Sequence, residues 1–294
     1  MHVIGLVLHP ERDSDLAVAA ILDWAARKQI QVLGIDTEVR RLNCRAAPVP
    51  AAEIGQRADL VVSLGGDGTM LRAMRLADGQ RAPVLGVNLG KLGFLAEVDV
   101  PELPRALSAI DDHEFTVEPR LAVDAVIGGQ TVTAFNDVAV VRFPGQATAL
   151  IAVQAAGHPF VSYAADAVVV ATPTGSTAYS FSAGGPIVSP SVEALLVTPA
   201  APHSAYNRGL VVSVQDSLTL ELLPASGRLA VEVDGQVAAH VDAGDAIELQ
   251  PRPGAARVVR LGRTTFYERA RRKLRLTDSA EVPVPSDGAA WPGL

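Results

Sequence analysis

The chain has 294 residues, of which 49% are hydrophobic, and a formal net charge of -7. Soluble domains usually contain about 100 to 200 residues, so this length allows two domains, each with its own core. The acidic balance argues against a nucleic-acid-binding surface, which would be rich in Lys and Arg. A single cysteine, Cys44, excludes an internal disulfide framework and a zinc site built from cysteines.

Neither a membrane span nor an export signal is predicted. The longest uncharged apolar stretches, such as residues 167–175, are much shorter than the roughly 20 residues that cross a bilayer. The start, MHVIGLVLHPERD, lacks the basic residues and the small-residue cleavage site of a signal peptide. We therefore expect a cytoplasmic protein with no membrane partner and no nucleic-acid partner.

Strand-like and helix-like segments alternate in the first part of the chain, which is typical of βαβ units around a parallel sheet. The first helix is expected to place Leu16, Ala20 and Trp24 on one face. A second helix is predicted to begin near Thr69, and a third follows Pro101. Strands are predicted at residues 3–8, 30–35, 59–64 and 83–88.

Beyond residue 115 the sequence changes to short alternating segments punctuated by Gly, Pro and Asp, which predicts a β-rich, sandwich-like domain. The dipeptide Asp234-Gly235 favours the tight primed turn of a hairpin. Strands are predicted at 117–127, 131–142, 148–156, 160–171, 194–198, 209–214, 217–223, 228–233, 237–241 and 245–250.

The predicted organisation is therefore a doubly wound α/β domain over residues 1–114 and a β-rich domain over residues 115–260. A short segment, 261–276, follows the second domain. The end of the chain, 277–294, is rich in Pro, Gly and Ala and is expected to be disordered.

A glycine-rich loop, GGDGT, follows the third predicted strand, where doubly wound sheets bind ligands. Backbone amides exposed at Gly65, Gly66 and Gly68, with the hydroxyl of Thr69 at a helix start, favour phosphates. Asp67 adds a carboxylate to this cradle. It can take the proton of an acceptor hydroxyl during phosphoryl transfer, or it can simply cap the helix. The spacing alone does not decide between the two.

Several familiar motifs are not present. The loop LGVNLGKLGF, residues 85–94, is one residue too short for a Walker A loop and has Leu92 in place of its hydroxyl. Neither glycine loop has the G-x-G-x-x-G pattern of a dinucleotide-binding turn. The sequence also lacks a G-x-S-x-G elbow and an H-E-x-x-H pair, so serine hydrolase and zinc protease activities have no motif.

A segment rich in hydroxyls follows a predicted buried strand, within residues 166–190. Such a surface can hydrogen-bond the edges of a sugar or a base, although a turn of this composition can also satisfy its own backbone. The hydroxyl-bearing residues are Thr172, Thr174, Ser176, Thr177, Tyr179, Ser180 and Ser182.

Late in the chain the sequence ERARRKLRL, residues 268–276, is strongly basic. A solvated helix face with salt bridges is one interpretation. A subunit contact, or a surface that steers an anionic substrate, is the other.

Four segments together resemble the NAD kinases, ATP-dependent enzymes that phosphorylate the 2'-hydroxyl on the adenosine ribose of NAD to make NADP. They are LGGDGTMLRA, PVLGVNLGKLGFLAEV, TPTGSTAYSFSAGGPIVSP and LLVTPAAPHS, in the order of the family. The resemblance covers roughly residues 58–276. GGDGT by itself is shared with diacylglycerol and sphingosine kinases, whereas TPTGSTAY followed by AGGP is much more specific to NAD kinases.

The resemblance implies roles for individual residues. Asp67 would activate the acceptor hydroxyl, while the backbone of GGDGT and the side chain of Arg72 receive the ATP phosphates. Phe94 would pack near the adenine of the acceptor. The implied acceptor-binding residues are Asp67, Gly68, Phe94, Asn136, Asp137, Asp166, Thr177, Ala178, Tyr179 and Ser182.

The same resemblance implies cofactors and assembly. Mg²⁺ is expected to arrive with ATP, because the sequence has no dedicated metal cage and no metal ligand is assigned. NAD and ATP are the expected substrates, and a homodimer or homotetramer is the expected assembly. Residues 261–276 are expected to return to the first domain.

Two departures from the family pattern fall where the nicotinamide ribose would bind. Asn136-Asp137 replaces the usual Asn-Glu, and Asp166 lies between Ala165 and Ala167 where the family has glycines. These changes fit a slightly repacked NAD site or an acceptor without the nicotinamide half. A kinase of the same fold with another nucleoside or nucleotide acceptor therefore stays open, as does a catalytically silent nucleotide-sensing protein.

Overall fold

The computed structural model describes residues 1–90, 93–203 and 206–276, and the predicted disordered tail lies outside these ranges. The helices are α1 (Asp15–Arg27), α2 (Asp36–Leu42), α3 (Ala51–Arg57), α4 (Asp67–Leu76), α5 (Leu103–Asp111), α6 (Tyr179–Ser182) and α7 (Phe266–Leu274), with 3-10 turns at Val100–Glu102 and Thr174–Thr177. None of the helices in the described ranges is long and apolar enough to cross a bilayer.

The first six strands are β1 (Val3–Leu8), β2 (Gln31–Ile35), β3 (Ala47–Val49), β4 (Leu60–Gly65), β5 (Val84–Asn88) and β6 (Val98–Asp99). The others are β7 (Thr116–Ile127), β8 (Gln130–Ala134), β9 (Asp137–Arg142), β10 (Ala149–Ala155), β11 (His158–Ala165), β12 (Ala167–Ala171), β13 (Ala194–Ala200), β14 (Leu210–Ser213), β15 (Leu218–Leu222), β16 (Leu229–Val233), β17 (Gln236–Val241) and β18 (Ala246–Arg260).

The first six strands form a parallel sheet in the order β3-β2-β1-β4-β5-β6. Ile4, Leu6 and Leu8 point to a core shared with α1 and α5, whereas Val7 points to a core shared with α3 and α4. Because successive side chains of a strand face opposite sides, helices cover both faces of the sheet. This confirms the doubly wound α/β fold.

The strand order reverses between β1 and β4. From β1 the chain builds outward to β3, then returns to the other side of β1 with β4. The loops that leave β1 and β4 therefore turn in opposite directions and open a crevice at the carboxyl ends of the strands, the position where such sheets bind ligands. The GGDGT loop, which follows β4, lies at this crevice.

The second half of the chain forms a sandwich of two antiparallel sheets. One has the order β14-β13-β12-β9-β16-β17, and the other β11-β10-β15-β18-β7-β8. Their inner faces share one hydrophobic core, with Val140, Val170 and Val197 from the first sheet and Val123, Ile151 and Leu249 from the second. The β-sandwich prediction is confirmed.

Strand β18 joins the two halves. Its residue Val258 pairs in parallel with Val84 of β5, so one sheet of the sandwich continues the parallel sheet. The core under α4 also crosses this joint, since Met70 belongs to the same buried cluster as Phe135 and Ala256. Strand β18 is much longer than the predicted 245–250, because it continues through a register shift after Arg252.

One face of α1 was placed wrongly by the sequence pattern. Leu16 is 80% exposed, while Ala17, Ile21 and Trp24 are buried against the sheet. The buried stripe follows the spacing i, i+4, i+7, which also fits the sequence. Trp24 belongs to both patterns, so this one residue did not distinguish them.

Two predicted strands are each broken in the structure. The segment 131–142 divides at Phe135-Asn136 into β8 and β9, and the segment 160–171 divides at Asp166 into β11 and β12. In both cases the chain passes from one sheet of the sandwich to the other. Alternating hydrophobicity continues through such corners, so the pattern hides them.

Candidate active site

The crevice beyond β1 and β4 holds an open cavity of about 470 Å³, named here the glycine-loop cavity. Asp67 is the one carboxylate among the described residues that line it. The complete lining is His9, Pro10, Arg12, Gly66, Asp67, Gly68, Thr69, Arg72, Arg75 and Gln236. The cavity therefore combines backbone amides of a helix start with several cationic side chains, which suits a polyanion.

The three glycines of the loop have different surroundings. A side chain at Gly68 would meet nothing within 4 Å, and one at Gly66 would approach only the guanidinium of Arg12. Gly65 instead is buried at the end of β4, where a Cβ atom would lie 2.2 Å from the Thr69 hydroxyl oxygen. Gly66 and Gly68 thus leave the cavity open, whereas Gly65, predicted to bind phosphate, allows Thr69 to pack closely.

Asp67 does not cap the helix. Helix α4 begins at Asp67 itself, two residues before the predicted start, and Gly66 occupies the N-cap position. The Asp67 carboxylate accepts hydrogen bonds from the backbone amides of Phe94 and Leu95, each at 3.0 Å. The capping interpretation is therefore wrong, because the acid spans from one loop to the next.

The carboxylate of Asp67 lies directly on Gly93. A Cβ atom at residue 93 would lie 2.1 Å from Oδ1 of Asp67, far inside contact distance. Gly93 therefore leaves the space that this carboxylate occupies. The chain thus needs a glycine for close approach here, rather than for a left-handed backbone.

The cations of the cavity have partners of their own. Arg72 forms an ion pair with the buried carboxylate of Glu38, which also accepts a 2.9 Å hydrogen bond from the amide of Leu8. Burial lowers the pKa of the Arg72 guanidinium from its ordinary value. Arg75 forms an ion pair with Asp234, a residue of the sandwich.

Five lining residues were missed by the motif: His9, Pro10, Arg12, Arg75 and Gln236. His9 and Arg12 follow β1, and the available signal was the rule that the ends of the two central strands flank the crevice. Burial, followed by the charge of Arg12, lowers the pKa of His9, whose Nδ1 accepts hydrogen bonds from the amides of Glu11 and Arg12. Through these two hydrogen bonds the His9 ring shapes the loop that follows β1.

A second cavity, of about 150 Å³, is named here the threonine cavity. It brings Phe94 together with Thr177, two predicted acceptor-binding residues separated by 83 positions in the chain. Its lining is Phe94, Leu95, Glu118, Arg120, Thr174, Thr177, Pro190, Arg260, Gly262, Thr264, Thr265, Phe266 and Arg269. Asp67 lines the glycine-loop cavity and accepts hydrogen bonds from the amides of Phe94 and Leu95, which line the threonine cavity.

Some hydroxyls of the segment 172–182 are used within the protein. Thr172 donates to the Phe135 carbonyl at 2.6 Å, and Ser176 donates to the Pro173 carbonyl at 2.7 Å. Ser180 shares a hydrogen bond with Thr198. For these three residues the structural interpretation holds. Thr177, Ala178 and Tyr179 are partly exposed and Ser182 is exposed, so these four can face a ligand.

Asn136 and Asp137 lie beside this segment. The Asn136 carbonyl accepts a hydrogen bond from Thr172, and a Cβ at Gly175 would lie 2.0 Å from the same oxygen. Asp137 is 4% exposed. Burial and, to a lesser degree, the charge of Asp234 raise the pKa of Asp137 to about 7.

Asp166 lies at the other corner of the sandwich. Its carboxylate forms an ion pair with Arg142, whose hydrogen bond lowers the pKa of Asp166. Among the described residues, neither cavity lining includes Asp166. The flanking Ala165 and Ala167 are both fully buried, and Ala165 belongs to the core of the sandwich.

Helix α7 contacts the loop that carries Phe94. Arg269, 4% exposed, donates to the Phe94 and Ala96 carbonyls and forms a 2.9 Å ion pair with Glu97. This arginine of the basic run is therefore a buried support, whereas its neighbours Arg271 and Arg272 are exposed. In the described part of the chain, no group of three or more His, Cys, Asp or Glu side chains could hold a metal ion.

Comparisons with known proteins identify the family of the chain. The ATP-NAD kinase N-terminal domain family matches residues 4–115, and the ATP-NAD kinase C-terminal domain family matches residues 135–261. NAD kinase 1 of Streptomyces avermitilis is 37% identical over 98% of this chain and 92% of its own length. NAD kinase of Desulforamulus reducens is 37% identical over 94% of this chain and 98% of its own length.

The fold has a solved counterpart. The crystal structure of a yeast NADH kinase complexed with NADH matches with a TM-score of 0.84 and 24% identity, covering 97% of this chain and 90% of that chain. The two matched family regions contain the glycine loop and the threonine segment, respectively. This chain belongs to the NAD kinase family.

Proposed function

We propose that the protein transfers the γ-phosphate of ATP to the 2'-hydroxyl of the adenosine ribose of NAD, with Asp67 as general base. The observation that carries this proposal is the position of the Asp67 carboxylate. It lines the glycine-loop cavity and is held by the amides of two residues, Phe94 and Leu95, that line the threonine cavity. An acid between a donor cavity and an acceptor cavity can serve a transfer between them.

The glycine-loop cavity takes the phosphates in this proposal. Amides at Gly66 and Gly68 and the Thr69 hydroxyl face the phosphate oxygens, and Arg12 and Arg72 balance their charge. The acceptor oxygen attacks the γ-phosphorus, the bond to the bridging oxygen breaks, ADP leaves and the acceptor proton passes to Asp67. Mg²⁺, brought by the nucleotide, neutralises phosphate charge when bound.

The acceptor side is assigned by its position next to Asp67. Phe94 and Thr177 line one cavity and would contact the adenosine. The remaining residues assigned to the acceptor are Asn136, Asp137, Asp166, Ala178, Tyr179 and Ser182. Asp137 and Asp166 carry the least support, because one is buried and the other is paired with Arg142.

Three further predictions concern the location, the assembly and the domain boundaries. They are a cytoplasmic location, a homodimeric or homotetrameric assembly, and a division of the chain at residues 114 and 260. Exposed apolar side chains on two edge strands, Phe160 at 52% and Val211 at 57%, support a contact with a second copy. Sedimentation of the purified protein measures the number of subunits.

The experiment that tests the function is an acceptor panel. The purified protein is incubated with ATP, Mg²⁺ and either NAD, NADH, adenosine or AMP, and the products are identified by mass spectrometry. We expect NAD to gain one phosphate. Phosphate on another acceptor but not on NAD would support the alternative nucleotide kinase. Bound nucleotide without any product would support the catalytically silent sensor.

A further inference from the structure

A buried acid lies at the tip of the hairpin β16-β17. Asp234 and Gly235 form the two-residue turn, with φ angles of 48° and 78°, as the sequence predicted. The Asp234 side chain, however, is 0% exposed and so does not face solvent like an ordinary turn residue. An ionised group that is removed from water needs several partners.

The first partners are three successive backbone amides. The Asp234 carboxylate accepts hydrogen bonds from the amides of Phe135, Asn136 and Asp137 at 3.1, 2.7 and 3.2 Å. These residues form the corner between β8 and β9. Three amides aimed at one carboxylate fix the path of the chain where it passes between the sheets.

The fourth partner comes from the other half of the protein. Nε and Nη2 of Arg75 donate to Oδ2 of Asp234 at 3.3 and 3.1 Å. Arg75 is on α4, the helix that begins with Asp67, and it also lines the glycine-loop cavity. Arg75 lies two helical turns, of about 3.6 residues each, after Asp67, so helix α4 fixes the position of its backbone relative to the glycine loop.

The same corner supports the predicted acceptor segment. The Thr172 hydroxyl donates to the Phe135 carbonyl, and the Thr172 amide donates to the Asn136 carbonyl at 2.8 Å. Gly175 packs against Asn136 so closely that a side chain there would clash. A continuous set of contacts therefore runs from α4 through Arg75 and Asp234 to the threonine segment.

We propose that the Arg75-Asp234 ion pair is a positioning device that sets the distance between the phosphate loop and the acceptor segment during phosphoryl transfer. The inference rests on the proposed function and deepens it. Asp234 touches no substrate, because its side chain is fully buried. A shift of about 1 Å between reacting groups lowers a rate by about 10²-fold, so a pair at this joint controls turnover rather than binding.

A simpler role for Arg75 makes opposite predictions. If Arg75 acts only as a phosphate ligand, removal of Asp234 frees its charge for ATP, so the KM for ATP falls or stays unchanged. Removal of Arg75 would then raise the KM for ATP alone. In a positioning role, both removals lower kcat and leave the affinity for each separate substrate nearly unchanged.

The experiment compares Arg75→Gln, Asp234→Asn and the double variant in the full chain. Asparagine tolerates the left-handed conformation of residue 234, so this variant keeps the turn. We expect each single variant to lower kcat by about 10- to 100-fold, and the double variant to be no worse than the worse single one, because both remove one interaction. The matched control is Arg252→Gln. Arg252 donates to both carboxylate oxygens of Asp78 across the same joint and also pairs with Asp124, but it forms no ion pair with Asp234.

A second measurement separates this inference from the proposed function. Amide hydrogen exchange at Phe135, Asn136 and Asp137 is expected to accelerate in Arg75→Gln and Asp234→Asn, and not in Arg252→Gln. This readout does not require activity, so it tests the contact even if NAD gains no phosphate. Normal kcat in either folded variant, additive losses in the double variant, or an equal loss in the control would overturn the proposal. If Asp234→Asn fails to fold, Arg75→Gln and Arg75→Lys decide. In the positioning role both variants keep their affinity for ATP, and Lys, which is a point charge without the planar fork of Arg, recovers only part of kcat; a raised KM for ATP in Arg75→Gln that Lys corrects would overturn the proposal.

Discussion

The glycine loop and the threonine segment contribute to the same proposed site but are built in different ways. The loop is local: β4 ends, Gly65 allows Thr69 to pack closely, Gly66 and Gly68 leave the cavity open, and α4 begins at Asp67. The threonine segment depends on distant residues, since Thr172 bonds to Phe135, 37 positions earlier. The conformation of the glycine loop therefore depends mainly on its own short run of residues. The conformation of the threonine segment also depends on residues far away in the sequence.

Substitution of Asp67 is the strongest test of the proposed site, because this residue of the glycine loop is bonded to residues that line the threonine cavity. We expect Asp67→Asn to lower kcat by about 10² to 10⁴-fold with little loss of ATP binding, because the amide keeps the shape of the side chain but cannot take the proton. Steady-state kinetics and calorimetric titration with ATP measure the two effects. A variant that turns over normally would remove Asp67 from the chemistry.

The second largest effect is expected at Arg269, which supports the loop of Phe94 from helix α7. Arg269→Met is expected to reduce the free energy of unfolding by about 3 kcal/mol, because the substitution breaks a buried ion pair with Glu97, although Arg260 still faces that acid. Urea denaturation measures the loss. The exposed Arg272 provides the control, since Arg272→Met should change stability by less than about 0.5 kcal/mol. Equal effects at both positions would contradict the buried support.

Gly93 tests the contact between the glycine loop and the loop that carries Phe94. We expect Gly93→Ala to lower kcat by about 10²-fold, because the added Cβ would lie 2.1 Å from Oδ1 of Asp67 and would displace the carboxylate. The decisive measurement is the double variant with Asp67→Asn. If Gly93 acts through the acid, the double variant loses no more activity than Asp67→Asn alone; a further loss would show a separate role.

The smallest effect concerns pH. Asp137 has its pKa raised from 3.8 to about 7, so the native state holds a proton that the unfolded chain releases near pH 4. Stability therefore falls as the pH rises through this window, by up to about 1.4 kcal/mol per unit. Asp137→Asn should remove this dependence and stabilise the protein at pH 8 by about 1 to 3 kcal/mol. If the free energy of unfolding changes by the same amount between pH 5 and pH 8 in the variant and in the unsubstituted protein, the raised pKa of Asp137 is contradicted.

Most of the fold could be predicted from the sequence because period and turn chemistry are local. Alternation of strand and helix patterns indicated the α/β half, and Asp234-Gly235 indicated a hairpin turn. The breaks at Phe135-Asn136 and Asp166 could not be predicted, because a strand that changes sheets keeps its alternation of buried and exposed side chains. Both errors fell at predicted acceptor residues, where backbone groups turn toward other parts of the protein.

The sequence by itself indicated the family through the glycine loop and the threonine segment, since each is a short run that can be recognised without knowledge of the fold. The tertiary structure decided which side chains surround them. Asp67 bonds to the amides of Phe94 and Leu95, and Arg75 reaches Asp234, a residue 159 positions away. The physical reason is that these contacts join separate elements, and only the packing of those elements sets which charges and amides come within hydrogen-bonding distance.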